Sequence, residues 1–165
     1  MIQIYRDPRA VLVSWAKYFA EEENSWYTFH HFLKGMELKD RIRFLLVGGE
    51  AESVYHSSFK EVLCRSGGWL QSENVLAIRF EDLVGANGGG SDEVQRECIV
   101  SILHHIGKDI SNVDLDDLQQ GLFGGTHTFR GGRIDGWKNS VDSELLLLID
   151  SQLRGLTFLK NLAYC

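Results

Sequence analysis

The sequence predicts an α/β fold, a parallel sheet flanked by helices, and three observations carry that expectation. Residues 1–5 and Val75-Leu76-Ala77-Ile78 are short apolar runs of strand length. Each runs into a segment with helical spacing, the alternation that builds a parallel sheet through helical crossovers. The single proline, Pro8, sits just after Asp7, where the first run hands over to the first helix. No internal repeat is visible, and one proline leaves little room for a rigid linker, so residues 1–165 are expected to form a single domain.

Taken in order, Asp7 is the expected N-cap of the first helix and Pro8 its first residue, where a missing N–H costs nothing. Val11, Leu12, Trp15, Tyr18 and Phe19 follow at helical spacing, and the helix is expected to fray in Glu21-Glu22-Glu23-Asn24. Residues 25–47 and 51–66 read as helical; in the second, Val54, Ser58, Val62 and Arg65 succeed one another about a turn apart. The second strand ends at Arg79-Phe80, and Asn87-Gly88-Gly89-Gly90 is the clearest loop. Ser91 caps a helix to about His105, stopped by Gly107. Asn112 to Gln120 reads as a short acidic helix, and the glycine-rich stretch Thr126 to Gly136 as irregular. Asp142 opens a last helix through about Leu153, with Glu144 in the dipole-favoured first turn.

The composition is globular: 44% hydrophobic and 11% aromatic. At 165 residues the chain is long enough to bury roughly 70% of its unfolded surface. Seventeen basic residues against twenty-three acidic ones leave a net charge of −6, which argues against non-specific nucleic-acid binding but not against one local anion site. The three cysteines, Cys64, Cys98 and Cys165, form no CxxC pair, so reduced thiols and a cytoplasmic location are expected. No apolar run is long enough to span a membrane, and the opening residues read as a strand, not a secretory leader.

Three segments have the residue types for chemistry. In Arg6-Asp7-Pro8, a guanidinium fork precedes a helix N-terminus whose unpaired N–H groups attract anions, and Ser14 lies two turns on. The plain alternative is an ordinary strand–turn–helix with Arg6 on the surface. In Thr128-Phe129-Arg130-Gly131-Gly132-Arg133, adjacent glycines expose consecutive N–H groups as an anion nest between two arginines. A flexible basic loop is the alternative. In Arg79-Phe80-Glu81-Asp82-Leu83, the carboxylates are either a catalytic pair or, the favoured reading, the cap of a short turn, while Phe80 offers a face for stacking or a core contact. Of the six histidines none stands out as a catalytic base; His30-His31 are placed to line an acceptor pocket, and His127 is nearest the glycine loop. No spacing suits a metal site.

Together and in this order the three segments resemble the cytosolic-type sulfotransferase family, which transfers a sulfuryl group from 3′-phosphoadenosine 5′-phosphosulfate (PAPS) to a hydroxyl or amine. The family's R-D-P-R-D-V-L-V-S is matched by Arg6-Asp7-Pro8-Arg9-Ala10-Val11-Leu12-Val13-Ser14, its Y-E-D-L by Phe80-Glu81-Asp82-Leu83, and its F-R-K-G-x-x-G-D-W-K-N by Phe129 to Asn139. The resemblance implies a P-loop NTPase-like sulfotransferase fold. It assigns Arg6, Ser14, Arg130 and Gly132 to the nucleotide's 3′-phosphate, leaves ring stacking to Phe80, and makes PAPS the donor and a small molecule the acceptor. Three departures stand out: Phe80 replaces a tyrosine, Gly131 replaces a lysine and so removes a phosphate cation, and Asp135-Gly136 reverses the usual order. The family's P-loop-like K-x-G-T-T-W and its upstream histidine base have no counterpart here and would precede Met1. The chain is therefore expected to be a C-terminal portion, inactive alone, that supplies the 3′-phosphate handle. The competing expectation is a non-catalytic nucleotide-binding or interaction module derived from such an enzyme. A P-loop kinase relative would share the fold but has no support in these motifs.

Overall fold

Two apolar segments pair in parallel: β1 (Ile2–Tyr5) lies against β4 (Leu76–Arg79) in the register Ile2↔Leu76 through Tyr5↔Arg79. The computed structural model describes residues 1–21, 24–124 and 131–164. The fold is mixed and mostly helical, with this small parallel sheet, as the α/β expectation requires. By internal contacts the chain divides into two compact units, Met1–Arg6 with Trp69–Gly136, and Asp7–Gly68 with Trp137–Cys165.

In the first unit, β4 runs directly into a one-turn helix, α5 (Phe80–Leu83), and α6 (Asp92–His105) packs against both. Ser91 caps α6 by accepting from the Val94 N–H, as its position predicts, and Gly107 takes the left-handed conformation (φ +73°) that ends it. Asn87-Gly88-Gly89-Gly90 is not purely a loop: Ala86–Gly88 form a 3₁₀ turn. The acidic helix α7 (Leu115–Gly121) starts later than expected, because Asp114 caps it by accepting from the N–H groups of Asp116 and Asp117. Residues 131–135 have no regular structure, as expected; the rest of the predicted irregular stretch, 126–130, lies outside the described residues.

In the second unit, α1 (Pro8–Tyr18) begins as predicted, with the Asp7 carboxylate accepting from the Arg9 N–H at 2.8 Å. It packs on α3 (Leu38–Val47), which also contacts α4 (Phe59–Gly67) and α8 (Ser143–Leu153). Leu12, Ala16, Ile42, Leu45, Leu46, Phe59, Leu145 and Ile149 are buried in its core. Asp142 caps α8 through the Leu145 N–H at 2.8 Å.

Three expectations need correcting. Residues 25–47 are not one helix: α2 (His30–Lys34) and α3 are separated at Gly35-Met36-Glu37, and 25–29 lie outside both. Residues 51–56 are not helical but belong to an antiparallel hairpin, β2 (Gly49–Ala51) and β3 (Val54–His56). Its two-residue turn places both Glu52 (φ 50°) and Ser53 (φ 62°) in the left-handed region, the type I′ geometry that matches strand twist. The helix begins only at Phe59, behind a reciprocal cap in which Ser58 accepts from the Glu61 N–H and Glu61 accepts from the Ser58 N–H. Lastly, α8 is followed by a further short helix, α9 (Thr157–Asn161).

Candidate functional site

The parallel register decides what lies at the C-terminal ends of β1 and β4. Tyr5 pairs with Arg79, so the next residues along, Arg6 and Phe80, leave the sheet side by side. The Arg6 guanidinium carbon stands 4.1 Å from the Phe80 ring centroid, a cation–π stack that fixes the plane of the fork. The flat partner of Phe80 is thus Arg6 itself. Arg6 Nη2 also donates to the carbonyl of Arg133 at 3.0 Å, which ties the strand end to the glycine segment 127 residues further on.

That segment is held by two glycine-dependent features. Gly131 (φ +102°) and Gly132 (φ +52°) are successive left-handed residues, a conformation that L side chains resist. Beneath them, the Ile134 N–H donates to the Gly88 carbonyl at 3.0 Å. A Cβ on Gly88 would stand 2.6 Å from Val84 and 3.0 Å from the Gly132 carbonyl, so the approach needs a glycine there. Tyr5, next to Arg6, is buried, which pushes its phenol pKa up, and its hydroxyl has no hydrogen-bond partner among the described residues.

The carboxylates after β4 do not cap a turn. Arg79 occupies the N-cap of α5 with no side-chain cap bond, and Glu81 and Asp82 lie in its first turn. Glu81 is buried, and the pair makes loose ion pairs with Arg79 at 4.0 and 3.9 Å.

Of the expected site residues, Arg6, Phe80, Gly131 and Gly132 therefore converge within the first unit. Ser14 belongs to the second unit, half-buried on α1. Arg130 and His127 lie outside the described residues. His30 does not line an open pocket: it is fully buried, and its Nδ1 donates to the Phe19 carbonyl at 3.1 Å. His31 is exposed. Among the described residues no group of three or more His, Cys, Asp or Glu side chains is placed to hold a metal ion.

Sequence reading overlooked three residues. Arg9, the second arginine of the R-D-P-R segment, is a clamp: Nε and Nη2 donate to one Asp150 oxygen at 3.0 and 2.9 Å, and Nη1 donates to the Tyr164 carbonyl at 3.3 Å. Its guanidinium also lies 5.6 Å from the Trp137 ring. Gly88, read only as a loop residue, seats the glycine turn. His56 shares a 2.9 Å hydrogen bond with the Tyr27 hydroxyl inside a cluster of Phe19, Phe29 and Phe44; burial lowers the His56 pKa and raises that of Tyr27. No signal marked Arg9 or His56, because their partners are distant in sequence.

No family model matches the chain, and no curated protein or solved structure matches it either.

Proposed function

We propose that this chain supplies the nucleotide 3′-phosphate handle of a PAPS-dependent sulfotransferase with a P-loop NTPase-like sheet. The observation that carries the reading is the stacked Arg6–Phe80 pair at the C-terminal end of two parallel strands, with Arg6 bonded to the backbone beside two left-handed glycines. Ligands of open α/β sheets bind outside the carboxyl ends of the strands. A fixed guanidinium fork next to glycine N–H groups suits a phosphate dianion better than a neutral ligand. Arg6 and the Gly131–Gly132 turn would hold the 3′-phosphate, and Ser14 and Arg130 join them by the resemblance. When bound, PAPS supplies the sulfuryl group for a hydroxyl or amine on a small-molecule acceptor. The chain's own residues bind and orient the nucleotide and distinguish it from adenylates that lack a 3′-phosphate. A cytoplasmic setting suits the free thiols of Cys64 and Cys98.

The test is calorimetric titration with the product nucleotide, 3′-phosphoadenosine 5′-phosphate (PAP). Losing one charge-assisted contact costs about 1.5–3 kcal/mol, so Arg6→Ala should weaken PAP binding roughly tenfold or more. Arg6→Lys should recover only part of it, because the fork is lost. Equal PAP affinity in Arg6→Ala and parent, with unchanged circular dichroism, overturns the reading.

A further inference from the structure

The α6–α7 pair carries an apolar groove that the nucleotide reading does not use. Ile99, Ile102 and Leu103 of α6 and Leu118 and Leu122 at α7 line a cavity of about 650 Å³, with Asp117 at its edge. Ile99 and Leu103 follow at i and i+4 on α6, and Ile106, the C-cap residue just past the cavity lining, extends the same stripe to about 10 Å. Its floor is buried at Ile99 and Leu103, whereas Ile106, Leu118 and Leu122 are 53%, 38% and 44% exposed.

Charge selects the occupant. Residues 92–121 hold seven acidic residues against Arg96 and Lys108, a net −5 out of the chain's −6. Arg96 is already engaged by Asp116 and Gln119. Asp117 lines the groove, and the acidic excess of the α6–α7 segment around it repels nucleic acid and anionic lipid, and repels a second copy of the same face. It attracts a cation-flanked apolar stripe of matching period. We propose that this groove docks a basic amphipathic helix of a partner protein, with two or three apolar anchors at helical spacing and Lys or Arg on either side.

The probe is a fluorescein-labelled, amidated Leu/Lys peptide of about 14 residues with leucines at i, i+4 and i+7, read by anisotropy against the full chain. The controls are the same composition with scrambled leucine spacing and a Leu/Glu version. Expected are saturable binding of the patterned peptide, at least about fivefold weaker binding of the scrambled one, and weakening with salt. Asp117→Lys, an exposed position in the first turn of α7 whose helix content is checked by circular dichroism, should weaken the patterned peptide roughly fivefold and flatten its salt dependence. Leu118→Glu should abolish binding. Equal binding of patterned and scrambled peptides, or an affinity unmoved by Asp117→Lys, overturns the proposal. So does sedimentation showing a dimer that Leu118→Glu dissociates, or binding to phosphatidylserine vesicles that Leu118→Glu removes.

Discussion

Replacing Arg9 with alanine should destabilise the second unit by about 2 kcal/mol, and the figure follows from what the side chain touches. Arg9 is 19% exposed and makes two bonds to Asp150 Oδ1, one to the Tyr164 carbonyl and an ion pair with Asp7 at 3.5 Å. A charge-assisted bond contributes about 1.5–3 kcal/mol, but a solvated pair contributes only about 0–1 kcal/mol. Asp150 is 43% exposed and stays hydrated when its partner leaves, so the loss falls short of the about 3–5 kcal/mol of a fully buried pair. At this chain length such a loss lowers the melting temperature by about 4–8 °C. The assay is urea unfolding of the parent, Arg9→Ala, Asp150→Ala and the double variant. A coupling of about 1 kcal/mol between the two sites is expected. Arg9→Lys should restore less than half of the loss, since a point charge cannot make the paired bonds to Asp150. A loss under about 0.5 kcal/mol, or strict additivity, would refute the clamp.

Phe80→Leu removes the ring face that orients Arg6; a cation–π stack at a partly exposed site contributes about 0.5–1 kcal/mol, so PAP binding should weaken about two- to fivefold, while Phe80→Tyr should not weaken it. Calorimetry with the two variants separates orientation by the ring from simple loss of volume. Burial depresses the His56 pKa below its usual 6.5, so the folded state binds fewer protons than the unfolded one. Stability from this residue is therefore full above about pH 6.5 and falls as the pH drops below it towards the folded value. Urea midpoints between about pH 7.5 and 5.5 should fall, and His56→Gln should flatten that part of the slope.

Much of the local structure was legible because its determinants are adjacent in sequence. Asp7-Pro8, Ser91 and Asp142 cap helices through N–H groups two or three residues away. The hairpin at 49–56 was missed because its type I′ turn is built from Glu52-Ser53 and lacks the Asn-Gly or Asp-Gly signal. Ser58-x-x-Glu61 was a capping signal within reach, and it would have moved the helix start to Phe59. The convergence of Arg6 with the glycine turn needed the fold, since β1, β4 and residues 131–134 meet only once the parallel register is known. Arg9 carries no local signal, because the partner that commits it to holding α1 and α8 together lies 141 residues away.

The most direct measurement is calorimetric titration of the folded chain with PAP and, in parallel, with AMP. PAP should bind at least about tenfold more tightly than AMP, since only PAP offers the 3′-phosphate to Arg6 and the Gly131–Gly132 turn. Equal affinity for the two nucleotides in a chain whose circular dichroism shows it folded would contradict it.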